Sequence, residues 1–341
     1  MTPRDTLRSL AAALLLLGLS GCSFGAATSL CQADTDIPAG VQAAPVALAK
    51  SFAGAVLNGQ PQSAYAQLAP DLQDKVPPAA FGAMIRKVGL TGPYAGLGVD
   101  HVYRVTVAGA GQVPPVACGS PSTPDKWAMV AALPVGDQFH VVMTSNSRNN
   151  AWTVNVWLVP AGTGWRVEAF NIGLQTIGGR SASAILAEAR QQRDTGHQFN
   201  AAMLYAVLPA LIDRGQAFQP GITQQVRSDF ASFKPPAELA GKPPYAVVWD
   251  GHRFSVDRIE VTGFGPIMDL VILYTDPSWN GTDYVRAEAI NHGLIDAFRA
   301  AHPDYAEKFA GVVARLQRAD RKGGFATVYE NAKGYLKAKG S

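Results

Sequence analysis

The spacing of apolar residues predicts three helices near the start of the chain. In the first, apolar side chains recur at helical intervals at Val46, Phe52 and Val56. The same spacing predicts a second helix over residues 62–74 and a third over residues 78–88. Each helix would carry one apolar stripe, and such a stripe has to be buried against another element of the fold.

After residue 88 the pattern changes to alternation of apolar and polar positions, which predicts β-strands. The alternating segments are residues 101–107, 127–131, 138–144, 151–159 and 164–172. The last two are separated by a short loop containing Pro160 and two glycines, so we expect them to form a hairpin.

The remainder of the chain, residues 179–341, is predicted to form a helical hairpin and a second small α+β domain. Helical spacing covers residues 182–193 and returns at residues 201–211. The pair Asp250-Gly251, which is favoured in type I′ turns, separates two alternating segments and predicts a β-hairpin. A third strand is predicted over residues 267–274.

Two helices are predicted to close this second domain. The clearer one has five apolar residues at a spacing that would place them on one helical face. They are Tyr305, Phe309, Val312, Val313 and Leu316.

The N-terminal 22 residues have the pattern of an export signal. Arg4 and Arg8 precede an apolar run over residues 10–19 that is too short to span a bilayer permanently. The run ends in Leu19-Ser20-Gly21-Cys22, which resembles the lipobox of bacterial lipoproteins. The resemblance implies that residues 1–21 are a cleaved signal peptide and that the Cys22 thiol is acylated. An ordinary secretory signal peptide is the alternative.

The residues after Cys22 refine this expectation. In lipoproteins an Asp directly after the acylated Cys typically retains the protein in the inner membrane, and this chain has Ser23. The resemblance therefore implies an outer-membrane protein whose folded part faces the periplasm. Residues 22–44 are rich in Ala, Ser, Gly, Thr and Pro, which predicts a flexible tether.

Three helices followed by a sheet that ends on the tryptophan-led strand Gly164-Trp165-Arg166-Val167 resemble the NTF2-like (cystatin-like cone) superfamily. The resemblance covers residues 45–178 and implies an α+β domain with helices on a curved antiparallel sheet. Other α+β arrangements of helices on a meander remain open. Members of this superfamily include enzymes that use Asp and His inside the cone and domains that serve recognition.

Composition and cysteine content narrow the chemistry. The chain is 48% hydrophobic and 16% charged, which indicates a well-populated core. A net charge of +3 gives no argument for nucleic acid as a partner. If Cys22 is acylated, Cys31 and Cys118 remain in an oxidising compartment, where a disulfide between them is expected. Their spacing suits neither CxxC redox chemistry nor a zinc site.

The sequence contains no GxSxG, HExxH or P-loop motif, and we predict neither a metal nor a cofactor. If the cone were catalytic, its acid and base would come from a small group of residues. They are Asp100, His101, Asp137, His140 and Glu168. His140 lies between Phe139 and Val141 on a predicted strand, so it points away from both. Glu168 is expected to face water.

The aromatic residues favour binding over catalysis. Trp152 and Trp157 have opposite parity on one predicted strand, so one face is core, and the other is either solvated or presents an aromatic patch that would mark an interaction site. Packing in the core or at its rim is the favoured interpretation of these aromatic residues. We therefore predict a lipid-anchored envelope lipoprotein that acts as a non-catalytic binding or assembly module through Trp152, Trp157 and His140. Its partner would be an envelope protein or a small apolar ligand. The alternatives are a cone-fold enzyme with His140 or His101 as base, and a purely structural envelope component.

Overall fold

The computed structural model describes residues 27–88, 96–109, 111–120, 123, 127–146, 151–318, 320 and 323–331. The fold is α+β, with antiparallel sheets and several helices, as the sequence predicts. Cys22 and the predicted signal peptide, residues 1–21, lie outside the described residues.

Eight α-helices occur within the described residues. They are α1 Ala39–Leu57, α2 Pro61–Tyr65, α3 Pro70–Lys75, α4 Pro78–Val88, α5 Ala182–Asp194, α6 Gln198–Ile212, α7 Thr223–Ser232 and α8 Tyr284–Ala301. The β-strands of the same part of the chain are β1 Thr28–Ala33, β2 Gly98–Ala108, β3 Val116–Cys118, β4 Ala128–Val130, β5 Asp137–Asn146, β6 Ala151–Ala161, β7 Gly164–Leu174, β8 Phe218–Pro220, β9 Tyr245–Trp249, β10 His252–Phe264, β11 Ile267–Thr275, β12 Gly311–Gln317 and β13 Gly324–Glu330.

The first sheet has the strand order β1-β2-β5-β6-β7 and is antiparallel throughout. One side of it, the helix face, is covered by the N-terminal helices, and Phe52, Phe81 and Phe170 pack edge to face there. Side chains at the alternate positions of the same strands point to the opposite side of the sheet, which we call the outer face. By length and composition α1 could cross a membrane, but Ala49 and Phe52 on it are fully buried in this core.

The prediction of a flexible tether over residues 22–44 is wrong for its second part. Residues Thr28–Ala33 form β1, an edge strand paired with β2, and α1 begins at Ala39. Cys31 on β1 forms a disulfide with Cys118 on β3. The low apolar content of this segment reflects an edge strand, because most of its side chains stay partly exposed.

The second predicted helix, residues 62–74, is divided in two. Leu68 leaves the helical path and forms a β-bridge with Val167 on β7, and Pro70 then starts α3. Leu68 is fully buried by this detour, so its contact with the sheet outweighs helix continuity.

A small three-stranded sheet, β3-β4-β8, covers part of the outer face. Its strand β8 follows the helical hairpin by only a few residues and returns to pair with β4. Tyr103, Val105 and Val142 of the first sheet pack against Phe218 of β8 in a separate apolar cluster. The second half of the chain thus completes the cover of the first sheet.

The C-terminal sheet has the order β13-β12-β11-β10-β9, and its core includes side chains from α5, α6 and α8. The predicted helix at residues 305–316 is wrong. Residues Pro303–Glu307 form a short 3₁₀ helix, and residues 311–317 form β12, parallel to β11. Val312, Ala314 and Leu316 alternate into the core, so the same apolar residues satisfy a period of two.

The two large cores meet near the end of β7. Ile172 packs against the core of the first sheet, whereas Leu174 packs against that of the C-terminal sheet. The domain boundary at residues 178–179 stays a prediction.

Candidate functional site

The part of the outer face that β8 leaves uncovered forms an open pocket of about 390 Å³. We call it the polar pocket. Its lining residues with polar side chains or an indole ring come from β5, β6, β7 and the loop between α6 and β8. They are His140, Asn155, Trp157, Glu168, Asn171, Arg214 and Gln216.

One wall of the pocket is a stacked pair of rings. His140 and Trp157 are cross-strand neighbours on β5 and β6, and their ring centroids lie 5.2 Å apart with an angle of 13° between the planes. The indole N–H of Trp157 donates to Oε1 of Gln138 at 3.2 Å. This hydrogen bond and the stacking fix the indole, which offers a rigid flat surface at the pocket.

His140 is held as a neutral side chain. Burial lowers the pKa of His140 to about 4, although its hydrogen bond to the carbonyl of Ala131 acts in the opposite direction. Its Nε2 lies 2.8 Å from that carbonyl oxygen, which can only accept, so the ring proton is on Nε2. Near neutral pH the ring is therefore an uncharged group whose N–H is already used by the protein.

Asn155 is the most unusual polar residue of the pocket. Its side chain is only 6% exposed, yet neither its Oδ1 nor its Nδ2 has a hydrogen-bond partner among the described residues. Asn171 lies directly opposite on β7, and its Oδ1 is also buried without a partner. A buried amide that stays unpaired costs about 1–3 kcal/mol, so two in register call for an explanation.

Glu168 enters the pocket through a β-bulge. Trp157 pairs with Ala169 and Leu158 pairs with Val167, so Glu168 is the extra residue of β7. Bulges re-aim side chains in this way. The expectation that Glu168 faces water is wrong, because it is half-buried and lines the pocket. Burial raises the pKa of Glu168, against the effect of Lys75.

Arg214 reaches the pocket across β7. Gly173 has no Cβ, and a Cβ there would lie 2.8 Å from the carbonyl oxygen of Asp213 and 3.2 Å from Nη1 of Arg214. Gly215 has a φ of 78°, and the backbone of the loop at this residue lies against the side chain of Asn171. The two glycines therefore let this loop lie directly on the sheet.

The other residues named from the sequence are mostly placed outside the polar pocket. Trp152 has the parity of the helix face and is half-buried, so it does not share a surface with Trp157. His101 is hydrogen-bonded to Asp34, with Nδ1 3.0 Å from Oδ2, and it lines a different cavity together with Asp100.

Asp137 is a structural anion near the edge of the first sheet. It accepts hydrogen bonds from Arg104 and Thr106, and these lower its pKa although burial opposes the shift. In the part of the chain that the structure describes, no group of three or more His, Cys, Asp or Glu side chains could hold a metal ion.

Sequence reasoning did not identify Asn155, Asn171 or Arg214. For Asn155 a signal was present, because it interrupts the apolar run Val154–Val159 at a position that alternates away from the helix face. For Arg214 there was none, because its neighbours on the sheet are brought to it only by the fold.

Comparisons with protein-family models, with curated proteins and with solved structures find no match to this chain.

Proposed function

We propose that the protein is an outer-membrane lipoprotein, anchored through Cys22 and facing the periplasm, that binds a small molecule in the polar pocket without transforming it. The anchor rests on Leu19-Ser20-Gly21-Cys22. The NTF2-like assignment of residues 45–178 belongs to the same proposal, and the helices packed on one face of a five-stranded antiparallel sheet support it.

The observation that carries the binding function is Asn155. An unpaired buried amide lowers stability, and a ligand that displaces the groups covering these two atoms and supplies one donor and one acceptor removes that cost. The stacked ring of Trp157 beside it offers a flat apolar contact. Pockets of a few hundred cubic ångströms with a few convergent polar groups are typical of small-molecule sites.

The same pocket contains few side chains that could act in catalysis. The ring N–H of His140 is committed to a backbone carbonyl, and its pKa of about 4 makes it a weak base. Among the described side chains that line the pocket none carries a hydroxyl or thiol, so Glu168, whose pKa burial raises, is the acid–base group that remains. Recognition of a bound molecule is the activity that these groups support best.

Purification of the acylated protein from envelope extracts tests this function. Bound molecules are released by denaturation, identified by mass spectrometry, and compared with those from an N155L variant at equal protein amount. We expect a compound that accompanies the wild type and is reduced at least about tenfold with N155L, because the variant lacks both amide hydrogen bonds. Equal recovery from both proteins, or no bound compound, would refute it.

The anchor needs its own test. The C22S variant should leave the membrane fraction, because the thiol is the group that becomes acylated. If C22S stays in the membrane pellet after cell fractionation to the same extent as the wild type, the lipoprotein assignment fails.

A catalytic function is the second candidate, and the His101–Asp34 hydrogen bond of 3.0 Å favours it. A carboxylate that orients an imidazole is the usual arrangement of a general base, and His101 lines a cavity of about 380 Å³. Loss of the cellular phenotype in H101A alone, with H140A and W157A active at equal protein abundance, would favour the enzyme.

A further inference from the structure

Arg214 is a buried cation without an anionic partner. Its side chain is 8% exposed, and its guanidinium donates to the carbonyl of Asp213 and to Oε1 of Gln175. No carboxylate of the described residues lies within ion-pair distance of it. The nearest acid, Asp213, is exposed, and its Oδ1 accepts from the backbone N–H of Gly215.

A buried charge of this kind is expensive. A guanidinium carries five N–H donors, and two neutral oxygens leave most of them unused. Buried ions are normally paired, because desolvation otherwise costs several kcal/mol. Burial lowers the pKa of Arg214 to about 10, against the effect of Asp213, so the side chain stays charged at neutral pH. An anion that reached it would gain an unusually strong contact.

The polar pocket continues past Arg214 into a second, larger cavity, which we call the trough. It has a volume of about 1030 Å³ and shares Asn171, Arg214 and Phe218 with the polar pocket. Its walls are largely apolar side chains from β4, α6 and α7. They are Met129, Pro209, Ile212, Val226 and Phe230. Phe230 is 55% exposed at the surface, although it is a large aromatic residue.

The charged side chains of the trough are two guanidiniums, those of Arg214 and Arg227, and one carboxylate, that of the exposed Asp213, so cations outnumber anions there. Arg227 supplies a second guanidinium, which has no carboxylate within ion-pair distance among the described residues. With the Gln219 amide oxygen turned towards it, both terminal nitrogens of Arg227 donate to that oxygen at 3.1 Å. Thr223 is 5% exposed, and its hydroxyl has no hydrogen-bond partner in the described part of the chain.

We propose that the trough binds a single-chain amphiphile with an anionic headgroup, a carboxylate or a phosphate. The headgroup lies against Arg214, and the positive charge of Arg227 also attracts it. The alkyl chain of the ligand lies along the apolar wall towards Phe230. The inference rests on the proposed binding function and names the class of ligand. It follows from one cavity in which unpaired cations adjoin a long apolar surface.

The test uses the acylated protein in phosphatidylcholine nanodiscs, which carry no net charge. Three probes are titrated, namely dodecyl phosphate, inorganic phosphate and dodecanol, and the rise in Tm gives an apparent affinity for each. R214Q removes the unpaired charge. R253Q is the matched control, because Arg253 is an exposed cation of β10.

We expect dodecyl phosphate to bind more tightly than either other probe to the wild type and to R253Q. Its affinity should fall at least about tenfold in R214Q, because a charge-assisted hydrogen bond is lost. If R214Q does not fold, R227Q replaces it, since Arg227 is exposed. The expected loss in R227Q is smaller but in the same direction.

Three results would overturn the inference. If dodecanol binds as tightly as dodecyl phosphate and R214Q changes neither affinity, the trough is an apolar site. Inorganic phosphate could bind as tightly as dodecyl phosphate, which would make it a small-anion site. Binding of none of the probes would also refute it. In each case an N155L-sensitive compound recovered from the envelope would leave the proposed binding function standing.

Discussion

Two buried asparagines, one in each half of the molecule, differ in how their amides are satisfied. Asn291 on α8 is fully buried, accepts from the Tyr274 hydroxyl at 2.8 Å, and donates to Thr327 and to the carbonyl of Phe325. Asn155 on β6 is almost as buried, but both of its amide atoms lack a partner within the described residues.

The contrast separates a structural polar residue from one available to a ligand. Asn291 joins α8 to β11 and β13, so its hydrogen bonds are part of the C-terminal core. Asn155 makes no such hydrogen bond to the described residues, and it lines an open pocket although both of its amide atoms are themselves buried. Natural proteins tolerate such a cost at sites where function requires it.

The largest effect is expected at the satisfied asparagine. N291L removes three hydrogen bonds and leaves the buried Tyr274 and Thr327 hydroxyls without this partner. We expect the free energy of unfolding to fall by about 3–5 kcal/mol, measured by urea denaturation. A loss below about 1 kcal/mol would show that this network does not stabilise the C-terminal core.

The second largest effect is a pH dependence of the free energy of unfolding, which arises from His140 in the polar pocket. The pKa of His140 is about 4 in the folded protein and 6.5 when exposed, so the unfolded chain binds the proton more readily. Neutral His140 therefore makes its full contribution to the free energy of unfolding above about pH 6.5. This contribution, about 3 kcal/mol, is lost as the pH falls towards 4.

Urea denaturation from pH 7 to pH 4 measures this loss. The H140Q variant should have a flatter stability profile than the wild type. N155L serves as the control, because it changes the same pocket without removing a titratable group. Parallel profiles for H140Q and the wild type would contradict the assignment of His140 as the titrating group.

The smallest effect on stability is expected at the unsatisfied asparagine. N155L removes an amide that has no partner among the described residues, so the free energy of unfolding without ligand should equal or slightly exceed that of the wild type. The same variant is the one predicted to lose the bound molecule. A destabilisation as large as that of N291L would mean that Asn155 has a structural role after all.

Local patterns in the sequence predicted many elements well. The helical hairpin, predicted at residues 182–193 and 201–211, is present as Ala182–Asp194 and Gln198–Ile212. Asp250 and Gly251 both have positive φ, as a type I′ turn requires, and they join β9 to β10. These features are fixed by neighbours within a few residues, so the sequence alone carries them.

Where the prediction was wrong, two periods competed. Val312 and Leu316 fit both a helix, at a spacing of four, and a strand, at a spacing of two through Ala314, and the choice depends on the neighbouring strand β11. Leu68 similarly leaves its helix because Val167 is available on β7. Such partners are distant in the chain, and no local pattern contains them.

The sequence by itself determined the α+β class, the positions of most strands and helices, and the alternation within each strand, whereas the register of β5 against β6 brings His140 and Trp157 to one face. Only the tertiary structure decided that this face is covered by β8 and crossed by Arg214. The physical reason is that the binding properties of a pocket depend on which polar groups are buried and on which of them lack a hydrogen-bond partner. Whether an amide or a guanidinium is buried unpaired depends on everything that packs around it, and Asn155 and Arg214 acquire that property only when residues 213–218 fold back on the first sheet.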